Sequence, residues 1–374
     1  MIDLDHNAST PLDPRVREAI TGALELGNPS STHARGRQAR EALDAARREA
    51  ANALGCEPGE VVFCGSGSEA NALALKGAFL ARRTTSVRVL ISAIEHPSIR
   101  ESAAQLKPLG AEVIELPVDA QGCVRLDVLE RELARGAAIA AVMAANNETG
   151  VIQPALEATQ LAKAVGVPLL VDAVQAAGKL ALTKLVEHAS LLSISGHKLH
   201  GPSGSALLVV KRGLTIAPLV GGHQERGRRG GTEWVAGAVG LARALTLSSE
   251  LLAKAQAIEN LRDAFERQLI EALPDVRFHA SDAKRLGNTS SVRFPGVDGE
   301  ALLIALDLAG VCASLGAACA SGALSPSHVL LAMGVAASDA RSSLRFSFGR
   351  DHTLDDVREV VRVLAEHAPR ARRR

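Results

Sequence analysis

Ser195-Gly196-His197-Lys198 closes an apolar run and opens a small, polar turn, His200-Gly201-Pro202-Ser203-Gly204. A lysine there is either a solvated loop residue or, if desolvated, an amine able to form a Schiff base with a carbonyl compound. The chain has nine lysines, at 76, 107, 163, 179, 184, 198, 211, 254 and 284, and no tyrosine. Candidates for amine chemistry are therefore few, and no phenol is available as acid, base or oxygen partner. Asp172 ends the run Val167-Pro168-Leu169-Leu170-Val171. A carboxylate at such a point suits a helix N-cap, or a buried cation such as a protonated pyridine nitrogen. Gln175, three residues on, can donate to a phenolic oxygen, and the two positions are read together.

Gly65-Ser66-Gly67-Ser68-Glu69 joins a further apolar run to a helix expected to begin near Ser68. Unpaired amides and the helix dipole make that turn an anion cup, with the serine hydroxyl as an added donor. Gly65, Gly67 and Ala70 also match Gly-x-Gly-x-x-Ala, a dinucleotide signature. That rival needs an acid about twenty residues on, at the end of the next strand; the nearest, Glu95, lies farther away. An amine, a ring-nitrogen acid, a phenolic-oxygen donor and a phosphate cup are together what pyridoxal phosphate requires. His96, in Glu95-His96-Pro97-Ser98, is placed to stack on a ring and shuttle protons, or to serve as a hydrogen-bonded turn residue. Asn147, in Asn146-Asn147-Glu148-Thr149-Gly150, offers an uncharged amide to a ring oxygen or a substrate carboxylate. Arg345 lies in the apolar run Leu344-Arg345-Phe346, where a substrate carboxylate or an internal acid must satisfy its guanidinium. Cys319 lies among small residues, Ser314-Leu315-Gly316-Ala317-Ala318-Cys319-Ala320-Ser321-Gly322. A thiol on such a loop is better placed to attack a substrate than Cys64 or Cys312, which read as buried structural cysteines.

The elements that position these residues alternate. Strands are expected at Val61–Phe63, Val87–Ile91, Ala111–Leu116, Ile139–Ala144, Val167–Val171, Leu191–Ile194 and Ala206–Val210. Several are continuous apolar runs, the pattern of strands covered on both faces. Amphipathic stretches at Glu69–Leu80, Leu126–Leu133 and Ala155–Val165 lie between them, so the fold class is α/β with an open, mainly parallel sheet. Five strand ends then deliver polar groups to one sheet edge, where open α/β sheets bind ligands. Gly221–Thr232 has no periodicity, and one long helix is expected from about Val235 to Leu273, with a domain boundary in or near it. From Val276 onward the order becomes strand, helix, loop, strand, helix, which suits a smaller α+β domain.

Composition limits the partners. A chain of 374 residues, 47% apolar and 22% charged, buries a large core, and 42 basic against 41 acidic residues give +1. Neither nucleic acid nor a membrane surface is a long-range electrostatic partner for that balance. Five cysteines without a CxxC pair point to a reducing cytoplasm and to no zinc site. The amino terminus has no apolar h-region, and an unprocessed cytoplasmic protein is expected.

These segments resemble the cysteine desulfurases of the nitrogen-fixation and iron–sulfur-cluster type, in the class V aminotransferase group of fold-type I pyridoxal-phosphate enzymes. The likeness runs from Leu4-Asp5-His6-Asn7-Ala8-Ser9-Thr10-Pro11 to Arg345-Phe346-Ser347-Phe348-Gly349-Arg350. It is most specific at Asn146–Gly150, Asp172–Gln175, Ser195–Lys198, Gly221–Gly227 and Cys319–Gly322. The resemblance implies a large, mainly parallel seven-stranded sheet domain over residues 13–250. A smaller α+β domain, from residues 1–12 and 251–374, carries the cysteine loop. It implies pyridoxal 5'-phosphate as cofactor, with Lys198 as its Schiff-base lysine, Asp172 at the ring nitrogen, Gln175 at the phenolic oxygen and His96 stacking on the ring and transferring protons. Gly67, Ser68, Ser195 and His197 resemble the phosphate ligands. Thr232 resembles a phosphate contact reaching across from a neighbouring subunit, which implies a homodimer with shared sites. Asn147 and Arg345 match the substrate-carboxylate contacts, and Cys319 the nucleophile that takes sulfur from L-cysteine for a sulfur acceptor or cluster scaffold. Two departures stand out: Gly67-Ser68 where a small residue followed by threonine is commoner, and Leu315 and Ala317 where two serines are. The last helix is also followed by a shorter tail than cluster-assembly members carry. A selenocysteine lyase of the same fold is the alternative enzyme, and an idle partner protein the alternative class; intact Lys198, Asp172 and Cys319 argue against the latter.

Overall fold

The computed structural model describes residues 1–316 and 325–372. Its strands are β1 (Ile2–Asp3), β2 (Val61–Cys64), β3 (Arg88–Ser92), β4 (Glu112–Leu116), β5 (Ile139–Ala141), β6 (Leu169–Asp172) and β7 (Leu191–Ser195). After these come β8 (Ala206–Val210), β9 (Arg277–Phe278), β10 (Thr289–Arg293), β11 (Val311–Cys312), β12 (Ser314–Leu315) and β13 (Ser343–Ser347). Seven of them form one sheet in the order β2-β8-β7-β6-β5-β3-β4. All run in one direction except β8, which is antiparallel to both neighbours.

The continuous apolar runs have a simple cause. Successive strand side chains point to opposite faces, and here both faces are covered. Phe63, Leu90, Val171, Ile194 and Leu207 pack with Leu43, Ala50, Leu241 and Leu245 from the helices Ala34–Leu54 and Val235–Thr246. Their alternates Val62, Ile91, Leu170, Leu191 and Leu208 pack with Leu73, Phe79 and Ile99 from the helices Gly67–Arg82 and Pro97–Ala104. Only the edge strand β4 has an exposed pattern, with Glu112 and Glu115 outward.

The expected single helix over Val235–Leu273 is three: Val235–Thr246, Ser248–Ala253 and Ala255–Ala272. Apolar residues continue on both sides of the junctions at Leu247 and Lys254, so periodicity does not mark the breaks. Val235–Ala253 is long and apolar enough to cross a membrane by length and composition, yet Ala238, Leu241 and Leu245 are buried in the core.

A four-stranded antiparallel sheet, β12-β13-β10-β9, forms the second unit of packing. Phe265, Leu344, Phe346, Phe348, Val360 and Leu364 fill its core with the helices Ala255–Ala272 and Leu354–His367. Phe265 stands 5.0 Å from Phe346 and 5.6 Å from Phe348, ring to ring, pairs worth about 1 kcal/mol each beyond burial. Alternation along β13 sends Leu344 and Phe346 into this core and Arg345 to the opposite face. The amino-terminal residues join the same unit: β1 pairs with β11, Leu4 enters the core, and Asp5 bridges Ser347. From Asn7 the chain crosses to the large sheet, where Thr10 N donates to the His197 carbonyl at 2.8 Å.

Candidate active site

A cavity of about 580 Å3 lies between the carboxyl ends of β2, β3, β5, β6 and β7 and the face of β13 that carries Arg345. Gly67, Ser68, His96, Asn147, Asp172, Gln175, Ser195, His197, Lys198 and Arg345 all line it. The strand ends named here point the same way because those strands are parallel, so residues scattered over some 130 positions of sequence, from Gly67 to Lys198, converge on one edge, and β13 adds Arg345 from across the cavity.

At one end is the turn before the helix Gly67–Arg82. Ser66 caps that helix, its Oγ accepting from Glu69 N at 3.1 Å. The first amides of any helix lack intrahelical acceptors and attract anions. A Cβ on Gly67 would sit 3.2 Å from both Ser195 Cβ and Val174 Cγ2, so glycine lets the turn approach Ser195. Glu69 accepts from Gly65 N at 2.7 Å and pairs with Arg229 Nε at 2.7 Å, which neutralises the one acid of that first turn. His197 has its pKa lowered to about 4 by burial and by Lys198, and stands neutral at physiological pH.

Asp172 ends β6 and is buried. Its Oδ1 accepts from Val174 N at 2.9 Å and its Oδ2 from Asn71 Nδ2 at 2.7 Å. The capping role left open in the sequence is thus present, as a turn rather than a helix cap, and the second oxygen is held separately by Asn71. Asn71 in turn accepts from Ser193 Oγ at 2.6 Å and donates to Ser98 Oγ at 3.0 Å. Ser98 sits 2.9 Å from His96 Nδ1, which also accepts from Ser98 N at 3.1 Å. His96 is therefore both the cap of Pro97–Ala104 and a cavity residue, and with Nδ1 accepting, its neutral ring carries the proton on Nε2. Burial lowers its pKa, and Asp172 opposes that shift.

Lys198 Nζ donates to the carbonyls of Asn7 at 2.6 Å and Ala8 at 2.7 Å. Burial, then the positive charge of Arg345, brings its pKa from 10.5 down to about 8; Asp5 and Asp172 act the other way. An amine so poised is neutral often enough near pH 7 to attack a carbonyl. Covalent capture of an aldehyde cofactor by the apoprotein is expected to quicken about tenfold per pH unit up to pH 7 and to level off above about pH 8.5. Stopped-flow absorbance across pH 6–9 checks this; a rate flat from pH 6 contradicts it.

Arg345 Nη1 donates to the Asn147 carbonyl at 2.9 Å and Nη2 pairs with Asp5 Oδ1 at 2.5 Å, while its Nε is buried with no protein partner. The internal ion pair that the sequence left open is realised, and a donor remains. Beside it, Glu148 accepts from Ser327 Oγ, and burial raises its pKa to about 7.

Thr232 is exposed and does not line the cavity. Cys319 and Ala317 lie outside the described residues; Leu315 and Gly316, just before them, line the cavity. Sequence reasoning missed Asn7, Asn71, Ser98, Asp5 and Glu148 as site residues. A signal existed for Asn71, a polar residue between Ala70 and Leu73 on the buried face of its helix; none existed for Asn7, whose backbone carbonyl accepts from both Gln175 and Lys198.

The donor set fits pyridoxal phosphate. Amide and hydroxyl donors at one end suit a phosphate, the carboxylate of Asp172 a ring nitrogen, and the amine of Lys198 an aldehyde. Fold and site define a fold-type I pyridoxal-phosphate enzyme. The chain matches the class-V aminotransferase family over residues 2–360. It is 41% identical over 378 residues to the cysteine desulfurase of Trichormus azollae, covering 100% of this chain and 94% of that one. It is 40% identical over 383 residues to the IscS-like cysteine desulfurase of Mycobacterium tuberculosis, covering 100% and 98%. A solved NifS-like protein superposes with a TM-score of 0.90 at 33% identity, covering 98% of each chain. The chain belongs to the cysteine desulfurases of the class-V aminotransferase family, and its cofactor is pyridoxal 5'-phosphate.

Proposed function

We propose that the protein converts L-cysteine to L-alanine and holds the sulfur on Cys319 as a persulfide. The observation that carries this is the convergence of ten residues on one cavity, the Lys198 amine among them. Lys198 would hold the cofactor through its amine, and the same amine is placed to move the substrate's Cα proton. Bound pyridoxal phosphate supplies an electron sink that makes the substrate's Cβ–S bond breakable. Asp172 holds the ring nitrogen, Gln175 the phenolic oxygen, and Gly67, Ser68, Ser195 and His197 the phosphate. His96 would stack on the ring of the bound cofactor, with its Nε2 proton available for transfer. Arg345 and Asn147 take the substrate carboxylate. In balance, the Cys319 thiol and L-cysteine give a Cys319 persulfide and L-alanine, with no net change in protons.

The other cysteines favour Cys319. Burial raises the thiol pKa of Cys56 to about 11, and raises those of Cys64, Cys123 and Cys312 as well, away from the reactive thiolate. With a reductant, wild type is expected to release alanine and sulfide from L-cysteine, and Cys319→Ser to stay yellow but make neither. A variant that still forms sulfide sinks the thiol assignment; a yellow wild type inactive on L-cysteine points to selenocysteine.

Removing the carboxylate anchor has its own signature. Arg345→Ala is expected to lower kcat/KM about 100-fold, mainly through KM, since a charge-assisted contact to the substrate carboxylate is lost. Steady-state alanine assays check this, and an unchanged KM contradicts it.

The site is shared between two subunits in this reading. Thr232 is exposed, and near it Trp234 is 48% and Val220 58% exposed. Glu233 is buried with neither carboxylate oxygen hydrogen-bonded, and its ion pair with Arg40 is long, at 3.8 Å. Exposed apolar side chains in the sequence neighbourhood of an unsatisfied acid suit a second copy of the chain. We assign residues 13–250 to the cofactor-binding domain and 1–12 with 251–374 to the small domain. We place the enzyme in the cytoplasm, passing sulfur to an acceptor protein in iron–sulfur cluster assembly or thio-cofactor synthesis.

A further inference from the structure

Lys179 has no part in the chemistry above, yet it sits directly behind it. Its Nζ donates to Gln175 Oε1 at 3.0 Å and to the Gln175 carbonyl at 3.2 Å. Gln175 Nε2 donates to the Asn7 carbonyl at 2.8 Å, the same oxygen that accepts from Lys198 Nζ. The two lysines are therefore joined through one amide and one carbonyl.

A side-chain amide has two orientations that differ only by exchanging oxygen and nitrogen. Here only one is satisfied. Turning the Gln175 amide over would set its NH2 against the Lys179 amine and its carbonyl against the Asn7 carbonyl, two repulsive contacts in a site where Gln175 is 5% exposed. The orientation kept leaves Nε2 with a second hydrogen, which is what a donor to a phenolic oxygen needs. Asn7 O alone does not enforce this strongly, since it also serves Lys198.

We propose that Lys179 is a positioning residue that locks the Gln175 amide so that Nε2, and not Oε1, faces the cofactor's phenolic oxygen. The inference rests on the assignment of Gln175 made above. The lysine is otherwise hard to account for. Both its hydrogen bonds go to Gln175, and no carboxylate pairs with it among the described residues. The groups that face it are cationic or imidazole: Lys198, Arg345, and, around a small cavity of about 50 Å3 on its far side, His6, His200 and Arg350. Burial, Lys198 and Arg345 lower its pKa to about 7. As ammonium it can only donate, so the lock is strictest at and below neutral pH; as amine it keeps N–H donors toward Oε1, and the Asn7 carbonyl still disfavours the turned amide.

The readout is the pH midpoint at which the bound cofactor's visible band changes, in the resting holoenzyme without substrate. Losing a donor to the phenolic oxygen, or turning a carbonyl toward it, makes that oxygen hold the shared proton more tightly and raises the midpoint. Lys179→Met is expected to raise it by about one pH unit, Gln175→Leu by as much or more, and the double variant no further than Gln175→Leu alone. Lys179→Arg, which keeps donors, is expected to stay close to wild type. Should Lys179→Met not fold with cofactor, Lys179→Ala, which likewise removes every side-chain donor, serves in its place with the same expectations. A Gln175→Leu shift with none in Lys179→Met overturns the Lys179 role while leaving Gln175's intact. Equal, additive shifts overturn it too, because they mean that the lysine charge acts directly on the cofactor. No shift in Gln175→Leu overturns the Gln175 assignment and the lock together.

Discussion

Lys198→Ala is expected to take up pyridoxal phosphate reversibly, to lose it on dialysis, and to form alanine from L-cysteine about 10^4-fold more slowly than wild type. Two functions leave with one side chain. Covalent anchoring goes, so the cofactor is held only by the phosphate cup and Asp172. The amine that moves the Cα proton goes as well, and a positioned general base alone contributes about 10^2 to 10^4 in rate. The fold is expected to survive. The carbonyls of Asn7 and Ala8 lose a donor, and they border a cavity large enough for water, so the cost stays at about 1–2 kcal/mol. Borohydride reduction of the holoenzyme followed by peptide mass mapping provides the direct check: the adduct is expected on the peptide containing Lys198 and absent from the variant. An adduct on another lysine overturns the assignment.

Asp172→Asn is expected to lower the rate of alanine formation about 10^3-fold, equivalent to about 4 kcal/mol, while retaining cofactor in part. The substitution preserves shape but not the charge that keeps a ring nitrogen protonated, and in a buried site such a pair is worth several kcal/mol. It also strains a network. Asn71 Nδ2 donates to Asp172 Oδ2, and Asn71 cannot simply turn over because its own carbonyl accepts from Ser193 Oγ. The new amide must face Asn71 donor to donor or give up the bond from Val174 N. Single-turnover assays with L-cysteine measure the loss, and activity within tenfold of wild type would remove Asp172 from the ring nitrogen.

Much of this site could be read along the chain because its residues stand where apolar strands stop. Asp172 after Leu169–Val171, Ser195 after Leu191–Ile194 and Gly65 after Val61–Cys64 are local junctions, visible as an apolar run giving way to small or polar residues. The alternation of Leu344 and Phe346 with Arg345 likewise marks a strand with one odd residue. The breaks in the helical stretch after Val235 are not legible for an equally local reason: apolar spacing persists on both sides of Leu247 and Lys254.

The sequence by itself determined the class of fold, the strand ends that carry chemistry and the residue types available there, because burial pattern and turn chemistry are written over a few neighbouring residues. Tertiary structure decided who meets whom. Lys198 finds the Asn7 carbonyl across 191 positions and Arg345 finds Asp5 across 340. Asp172 finds Asn71 across 101 and Ser327 finds Glu148 across 179. Such contacts depend on strand order and on the path of the amino-terminal segment between the two sheets, and side-chain periodicity holds no trace of either. The partnership of Lys179 with Gln175 is the instructive middle case. The two stand four residues apart, yet only burial against Asn7 and the cations around it makes that short contact an orienting one.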